Sequence, residues 1–350
     1  MSIAHTPFLL DLTLWYGWRQ RLGTLPARWR QQTLPQICRN LGVPVWMTAK
    51  AYRLDWGPTE IKVDRQGGER IVRYESPFGV LSERWEKGPD GDWWQTDYLV
   101  KTAADLSIAG AILNARAYRF DRAAYDKLQA EVGEDGIAAI ELPRRPFSQI
   151  FLEWLGWSDG LMLFFEAEAE IEAIVELLEE QVQALVREAA TLPGSVFVSP
   201  DNLDAQFIAP AYFDRYLAAS YRRSADVLHA QGKQLMAGTG GYIRRLLAPL
   251  AGAGVDAVQG ISGPPQSDAT LAEARAIAGP DLWLWGGIPQ DALLADFPES
   301  DFEVVVRQAA REAAQDGRAI VGVADVVPIA ADIARLERVP DLVREAWAHV

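Results

Sequence analysis

Two acidic side chains follow a short apolar run in the second half of the chain. Ser195–Val198 has the composition of a buried strand, and Asp201 and Asp204 come soon after it. A carboxyl group that is desolvated at a strand end has a raised pKa, and it can then donate or accept a proton near neutral pH. Alternatively, the two aspartates cap turns and the next helix. We take Asp201 first, and Asp204 second, as the candidate catalytic acids.

Three further apolar runs follow, Lys233–Met236, Val255–Val258 and Leu282–Trp285, and each is too short for a helix. The two stretches between them have helical periodicity. Strands and helices that alternate at this spacing predict parallel βαβ units. In such units, ligands bind outside the carboxyl ends of the strands. The loops after the three strands should therefore face one cleft.

These loops and their edges supply five candidate substrate-binding residues, which are Gly238, Thr239, Gln259, Asp268 and Trp285. Thr239 and Gln259 would hydrogen-bond oxygen atoms of a substrate, and Gly238 would let a ligand approach the backbone. Each residue also has a structural alternative. The glycine would serve a tight strand-to-helix turn, Asp268 would cap the helix that starts at Ala269, and Trp285 would fill the interior of the sheet.

The amino-terminal end of the chain adds a group of aromatic and charged residues. PFLLDL, at residues 7–12, is predicted as a first strand, and Asp11, Trp15, Trp18 and Arg19 lie at its end or just after it. Arg19 would hold a substrate carboxylate through a bidentate pair. The alternative is that this group plugs one end of the fold or forms an interface.

Two more candidates stand at predicted strand ends. Arg145 follows the buried-type strand Ile137–Leu142 and would bind an anion, or else is a solvated loop residue. Asp325 follows the late strand Ile320–Val323. With these two, the candidate catalytic and substrate-binding set is complete.

Residues 50–100 have a different pattern from the rest of the chain. Arg53–Asp64, Glu69–Tyr74 and Gly79–Glu86 alternate like strands, with turns between them. We interpret this stretch as a β-hairpin elaboration of a single domain that spans residues 1–350. The expected fold is an α/β (β/α)8 TIM barrel with an amino-terminal β-rich insertion.

Composition excludes several classes of function. The chain has 350 residues, is 49% hydrophobic and has a net charge of −14, which argues against binding to nucleic acid or to an anionic membrane. Cys38 is the single cysteine, so no disulfide can form within the chain, as is usual in a reducing cytosol. No targeting signal or membrane span is evident, and we expect a cytoplasmic protein.

The motifs in the second half resemble the uroporphyrinogen decarboxylase-like superfamily, which includes the decarboxylase and the cobalamin-linked methyltransferases. The resemblance is carried by FVSPDNLDAQFIAPAYFDRYL, VLHAQGKQLMAGTGG, GAGVDAVQGISGPPQSDATLAEA and WGGIP, with LGVPVW and YESPFGVLSE earlier in the chain. Their order agrees with the family's succession of loops. The resemblance implies a (β/α)8 barrel whose active cleft lies at the carboxyl ends of the strands.

The chain departs from the methyltransferase branch at the zinc ligands. Ala237-Gly238-Thr239 occupies the place of that branch's His-X-Cys, and the later cysteine is also missing. The histidines are His5, His229 and His349, and none stands at a predicted strand end. We therefore expect no metal site. A carboxylate site built from Asp201, Asp204, Asp268 and Glu141 is the remaining option, and we do not favour it.

Two functional hypotheses follow from the resemblance. The first is a cofactor-free decarboxylase that acts on a tetrapyrrole or a smaller organic acid, with Arg19 or Arg145 holding a carboxylate and Asp201 supplying the proton. The alternative is a methyltransferase of one-carbon metabolism that docks a corrinoid protein. A catalytically silent barrel that binds a small ligand is a third interpretation. Self-association as a homodimer is compatible with all three.

Overall fold

The computed structural model describes residues 3, 6–88, 91–134 and 136–349, and His5 lies outside this part of the chain. The chain divides into two compact units. The first unit comprises Met1–Ala51, Arg122–Leu142 and Ala190–Val350, and the second comprises Tyr52–Asp121 and Pro143–Ala189.

The strands of the described residues, in chain order, are β1 (Val45–Lys50), β2 (Tyr52–Asp55), β3 (Glu60–Gln66), β4 (Glu69–Ser76), β5 (Gly79–Lys87), β6 (Trp93–Asp97), β7 (Ala117–Phe120), β8 (Gly136–Glu141), β9 (Val196–Leu203), β10 (Gln234–Thr239), β11 (Ala257–Ile261), β12 (Trp283–Ile288) and β13 (Ala319–Val323).

The α-helices are α1 (Thr13–Leu22), α2 (Leu34–Leu41), α3 (Ala103–Ala115), α4 (Arg122–Val132), α5 (Pro146–Gln149), α6 (Ser158–Glu166), α7 (Glu168–Ala189), α8 (Pro210–Tyr212), α9 (Ala218–His229), α10 (Arg244–Gly252), α11 (Leu271–Ala278), α12 (Glu299–Asp316) and α13 (Ile333–Trp347). Turns of π-helix follow α5 and α8. None of the helices in the described part of the chain is both long and apolar enough to cross a membrane.

The first unit is built on a curled, parallel seven-stranded sheet. Its strand order is β1-β8-β9-β10-β11-β12-β13. Beyond β13, the segment before α1 makes an isolated parallel bridge between Phe8 and Val321, and the amide of Leu9 donates to the oxygen of Val321 at 3.0 Å. An α/β architecture with a parallel sheet was predicted.

The predicted ring of eight strands is not closed in the described residues. The predicted first strand, PFLLDL, forms only that single bridge because α1 begins at Thr13 and leaves a short extended segment. No strand pairing joins this segment to β1. The closed (β/α)8 barrel is therefore corrected to a seven-stranded sheet with one bridged segment at its β13 edge.

Alternate residues of the strands build the core on the inner face of the sheet. The buried cluster consists of Ile3, Leu9, Trp46, Ile137, Ala139, Val196, Val198, Met236, Ala257, Trp285 and Ile320. Most of these residues recur at a spacing of two along their strands, as expected for one face of a sheet. The rings of Trp46 and Trp285 meet edge to face, with centroids 4.8 Å apart.

The second unit has its own antiparallel sheet. β3, β4, β5 and β6 pair in that order, and β2 pairs with β7 in a separate ribbon. The strands lie within the stretch where the sequence alternates, and β4 and β5 bury the apolar residues Val72 and Leu81. α3 packs against the long helix α7 in this unit.

Candidate active site at the carboxyl ends of the strands

Asp325 stands at the carboxyl end of β13. Its side chain reaches solvent, but the surrounding protein atoms raise its pKa from 3.8 to about 6, first by desolvation and second through the nearby charge of Asp11. This combination of solvent access and desolvation is expected of a carboxyl group that lines a concave surface. Such a group can exchange a proton near neutral pH.

Asp11 lies at the end of the segment that is bridged to β13, and only 6% of it is exposed. Its carboxylate accepts hydrogen bonds from the amide and hydroxyl of Thr13, at 2.9 and 2.5 Å, and from the indole of Trp46 at 3.1 Å. Burial raises the pKa of Asp11 above its ordinary value, these hydrogen bonds oppose the rise, and Glu141 adds to it.

Glu141 and Lys50 end the neighbouring strands β8 and β1. The two residues are in register, and the ammonium of Lys50 lies 3.6 Å from the carboxylate of Glu141. The Lys50 side chain is largely exposed, so it can also meet an anionic group of a substrate. We call Asp11, Lys50, Glu141, Gln259 and Asp325 the carboxyl-end cluster.

Three side chains hold the backbone around this cluster. The amide of Gln259 donates to the backbone oxygen of Asp325 at 2.5 Å, and the amide of Gln290 donates to that of Val326 at 2.8 Å. The hydroxyl of Thr239 donates to the backbone oxygen of Gln259 at 2.7 Å. The ends of β10, β11 and β13 are thereby joined.

Glycines let these strand ends approach closely. Gly260 has φ +116, and a Cβ there would lie 2.0 Å from the backbone oxygen of Thr239. Gly286 has φ +149, and its Cβ would lie 1.9 Å from the oxygen of Ile261. The register of β11 against β12 also shifts at this point. Only glycine is compatible with both the conformation and the contact.

Asp201 has a different environment from the cluster. It is fully buried, and its carboxylate accepts hydrogen bonds from the hydroxyl of Ser199 at 2.8 Å and from the phenol of Tyr221. Tyr221 belongs to α9, and Ser199 is on the opposite face of β9 from the inner core residue Val198. The side chain of Asp201 is therefore directed toward the helices, where it fixes α9 to β9.

Asp204 and Asp268 satisfy backbone amides. Asp204 accepts from the amides of Gln206 and Tyr242, at 2.8 and 3.3 Å. Asp268 accepts from the amides of Ile243 and Arg244, at 2.7 and 3.1 Å, where α10 begins. The capping alternative therefore describes Asp268, although the helix is α10 and not the one after Ala269.

Trp285 and Gly238 occupy structural positions. Trp285 is fully buried in the inner core, and its indole nitrogen donates to the backbone oxygen of Leu9 at 3.3 Å. Gly238 is paired with Gln259 in the ladder between β10 and β11. A Cβ at Gly238 would lie 3.5 Å from the oxygen of Ser199, an ordinary contact, so this position does not require glycine.

The aromatic and basic residues of α1 pack against their own neighbours. Trp15 is buried and meets Trp29 edge to face at 5.9 Å. The guanidinium of Arg19 lies over Trp15 and donates to the backbone oxygen of Ala331 at 2.9 Å, and burial lowers the pKa of Arg19. The ring of Trp18 lies under Arg21. Arg19 thus anchors the loop that leads from Asp325 to α13.

Arg145 belongs to the second unit. It is fully buried, precedes α5 as its N-cap residue and donates to the backbone oxygen of Pro143 at 3.4 Å. The alternative of a solvated loop residue was wrong, because the side chain has no exposed surface.

The described residues do not bring together the side chains that zinc prefers as ligands. No group of three or more His, Cys, Asp or Glu side chains there could hold a metal ion. Burial raises the pKa of the Cys38 thiol to about 12, and His229 is paired with Asp256 at 2.8 Å, before β11 begins. The described residues therefore do not supply the donors of the methyltransferase branch's zinc site.

The sequence interpretation missed the roles of Lys50, Gln290 and Tyr221. Lys50 could have been found from the alternation of β1, since it lies an even number of residues after the inner-face residue Trp46. Gln290 lies five residues (290 − 285) after the predicted strand Leu282–Trp285, at the end of a loop that was expected to face the cleft. The contact of Tyr221 with Asp201 had no such signal, because it depends on how α9 packs.

Comparison with known proteins gives a likeness of fold. No family model and no curated protein matches the sequence. A methyltransferase from Methanosarcina mazei matches over 97% of this chain and 94% of its own, with a TM-score of 0.58 and 12% identity. A D-psicose 3-epimerase from Clostridium cellulolyticum H10 matches over 66% of this chain and 84% of its own, at a TM-score of 0.40 and 11% identity.

A score of 0.40 is too low to support any argument, so the fold likeness rests on the methyltransferase. At 12% identity, it establishes a shared fold over nearly the whole of both chains. At this identity the likeness concerns the fold alone. Neither structure named here is a decarboxylase.

Proposed function

We propose that this protein is an enzyme that transfers a methyl group, with the carboxyl-end cluster as its active site. The observation that carries the proposal is the fold likeness to a methyltransferase over 97% of the chain. The cluster supports it with an acid of suitable pKa in the position where ligands bind in folds of this kind.

Asp325 is the proposed general acid. When the bond between a methyl carbon and a nitrogen or oxygen breaks, its electron pair stays on the heteroatom, which then needs a proton. A carboxyl group with a pKa of about 6 is still partly protonated near neutral pH. The charge of Asp11 helps to keep that proton on Asp325. The acceptor nucleophile supplies the electron pair of the new bond to carbon.

Other cluster residues position the reactants. Gln259 fixes the backbone of Asp325, and Lys50 can orient an anionic part of the donor or the acceptor. Because the zinc donors of the methyltransferase branch are missing, no step is assigned to a zinc-bound thiol. The resemblance suggests a corrinoid protein as the acceptor, and free reduced cobalamin, which has the same reactive cobalt, is the acceptor to test first.

A methyl-transfer assay tests the proposal. Each reaction contains the enzyme, reduced cobalamin and one methyl donor. The donors are a methylated amine, a methoxylated aromatic compound and a methyl thioether, each tested separately. Formation of methylcobalamin is followed by its absorbance. We expect turnover with one donor class, and loss of turnover in Asp325→Asn. Asp296→Asn, at an exposed position before α12, is the matched control and should keep it. No turnover with any donor would oppose the proposal.

Decarboxylation is the second candidate, and it is favoured by the presence of a cation, Lys50, in the same cluster as the acid. The ammonium would hold one carboxylate while another leaves as CO2, and Asp325 would protonate the carbon that keeps the electron pair. CO2 release from porphyrinogens and from aromatic acids measures this reaction. Release without methyl transfer would replace the first candidate by the second.

A further inference from the structure

Arg116, in the second unit, is a buried cation without an acidic partner. It is 2% exposed and follows α3 directly. No carboxylate of the described residues forms an ion pair with it. Its guanidinium donates to the phenol of Tyr118 at 3.2 Å and lies 4.8 Å from the centre of that ring and 5.6 Å from the ring of Trp56. Its Nε has no hydrogen-bond partner in this part of the chain.

Burying the unpaired charge of Arg116 costs free energy unless an anion pairs with it. Guanidinium groups that are fully buried are ordinarily paired, because desolvation of an unpaired charge costs several kcal/mol. Stacking on Trp56 and Tyr118 offsets only part of this cost. The nearby carboxylate of Glu153 is already engaged by Arg144 at 3.3 Å and by Gln149 at 2.9 Å. Among its described residues, the second unit therefore supplies no carboxylate that pairs with Arg116.

Two buried hydroxyl groups of the same unit also lack partners within the described residues. They are Oγ of Ser148, which is fully buried, and Oγ1 of Thr59. Ser148 precedes Gln149, whose amide is bonded to the phenol of Tyr118. Thr59 closes a turn on Trp56, and the backbone of that turn packs on the residue before Arg116. The unpaired donors therefore lie on segments that adjoin Arg116.

Aromatic rings surround this group of donors. Tyr118 meets Tyr52 edge to face at 5.2 Å, and Trp56 meets Tyr74 at the same distance. Trp56, Tyr74 and Tyr118 keep part of their surface exposed. Flat rings beside a guanidinium favour a ligand that is itself flat and that carries a negative charge.

We propose that the second unit binds a small aromatic carboxylate, whose carboxylate pairs with Arg116 and whose ring packs against Trp56 and Tyr118. The unpaired Nε of Arg116 and the hydroxyls of Ser148 and Thr59 are the donors available to its oxygen atoms. The site uses none of the residues of the carboxyl-end cluster.

Titration calorimetry with benzoate as the probe tests the proposal on the full-length protein. We expect one saturable site per chain, and a loss of about tenfold or more in affinity in Arg116→Met, since a charged hydrogen bond is removed. Arg119→Met is the matched control. Arg119 is exposed and pairs with Asp55 at 2.7 Å, so its removal should leave the affinity unchanged.

Two further measurements keep the test decisive. If Arg116→Met does not fold, Arg116→Lys retains the charge without the planar fork, and it should also bind benzoate more weakly. Inorganic phosphate is titrated in parallel, and binding of phosphate without benzoate would overturn the assignment to an aromatic acid. Absence of saturable benzoate binding by the wild type, or wild-type affinity in both Arg116 variants, would overturn the site itself.

Discussion

The side-chain amide of Gln259 donates a hydrogen bond to the backbone oxygen of Asp325 at 2.5 Å, across the end of the intervening strand β12. Asp325 has φ +64, a left-handed conformation that costs a residue other than glycine about 1 kcal/mol or more. The bond from Gln259 helps to hold Asp325 in this conformation. The direction of the proposed acid therefore depends on a residue two strands away.

Loss of this bond should weaken catalysis more than stability. Gln259→Ala frees the backbone of Asp325, and we expect kcat to fall about tenfold, while the free energy of unfolding drops by roughly 1 kcal/mol. Steady-state kinetics and urea unfolding measure the two effects. Gln308→Ala, on the exposed face of α12, is the control and should change neither. An unchanged kcat in Gln259→Ala would show that the bond has no positioning role.

The activity should depend on pH through Asp325. The protonated form of the acid is lost as pH rises through about 6, so kcat should fall over that range. Asp325→Asn cannot donate the proton, and we expect a loss of about 10² to 10⁴ in kcat and a flat profile between about pH 5 and 8. The measurement is a pH profile of both proteins. A rate that rises through pH 6 would assign Asp325 as a base instead.

The same carboxyl group should reduce stability at neutral pH. Its pKa is raised in the folded chain, so the folded state retains a proton that the unfolded state has released between about pH 4 and 6. The free energy of unfolding therefore falls as pH rises through this window.

Asp325→Asn removes the free-energy cost of ionising a desolvated carboxyl group, and the variant should be more stable than the wild type at about pH 7.5. Because the side chain reaches solvent, we expect the free energy of unfolding to rise by only roughly 1 kcal/mol. Urea unfolding at several pH values measures the difference, which should disappear below about pH 4. A variant that is less stable at neutral pH would contradict the assigned pKa.

Asp201 should prove to be a structural residue. Asp201→Asn and Tyr221→Phe disturb the same buried hydrogen bond, and each should lower the free energy of unfolding by about 1 to 3 kcal/mol. The kcat of the folded fraction should be unchanged in both. Thermal unfolding and kinetics on the same preparations separate the two effects. If Asp201→Asn is fully stable and inactive, Asp201 is the proton donor and Asp325 is not.

Gly260 should not tolerate a side chain. In Gly260→Ala the new methyl would have to displace the backbone of Thr239 and adopt φ +116, so we expect a loss of roughly 3 kcal/mol or more. Gly252→Ala, at the end of α10 with open space around it, is the matched control and should stabilise by up to about 1 kcal/mol. Urea unfolding compares the two variants. If Gly260→Ala were as stable as Gly252→Ala, the strand ends would be able to move apart to make room for the methyl group.

Much of the parallel sheet could be predicted from the sequence, but the strand ends could not. The strand predicted at Ser195–Val198 extends to Leu203, and the one at Leu282–Trp285 extends to Ile288. Glycine and proline suggested that the strands end there, whereas in the structure these residues lie within irregular strand ends. Glycine allows strands to approach there, and a single sequence does not separate this role from that of a turn.

The candidate site could be predicted only in part, because its side chains also lie at irregular strand ends. Asp11 and Asp325 were expected near a substrate because each follows an apolar run, and both belong to the carboxyl-end cluster. Asp201 follows such a run too, but β9 shifts register against β10 after Ser199. Its carboxylate is therefore held by Tyr221, on a helix that begins 17 residues later. The direction of a side chain beyond such a shift cannot be predicted from alternation alone.

The bridge between Phe8 and Val321 has a consequence for how the protein is made. Val321 is synthesised 313 residues (321 − 8) after Phe8, and at about 5 to 20 residues per second the wait is on the order of tens of seconds. Throughout that interval the nascent chain holds Asp11 without the strand that carries Asp325. The proposed catalytic pair can therefore assemble only after β13 has been synthesised, so a chain that stops before β13 should be inactive.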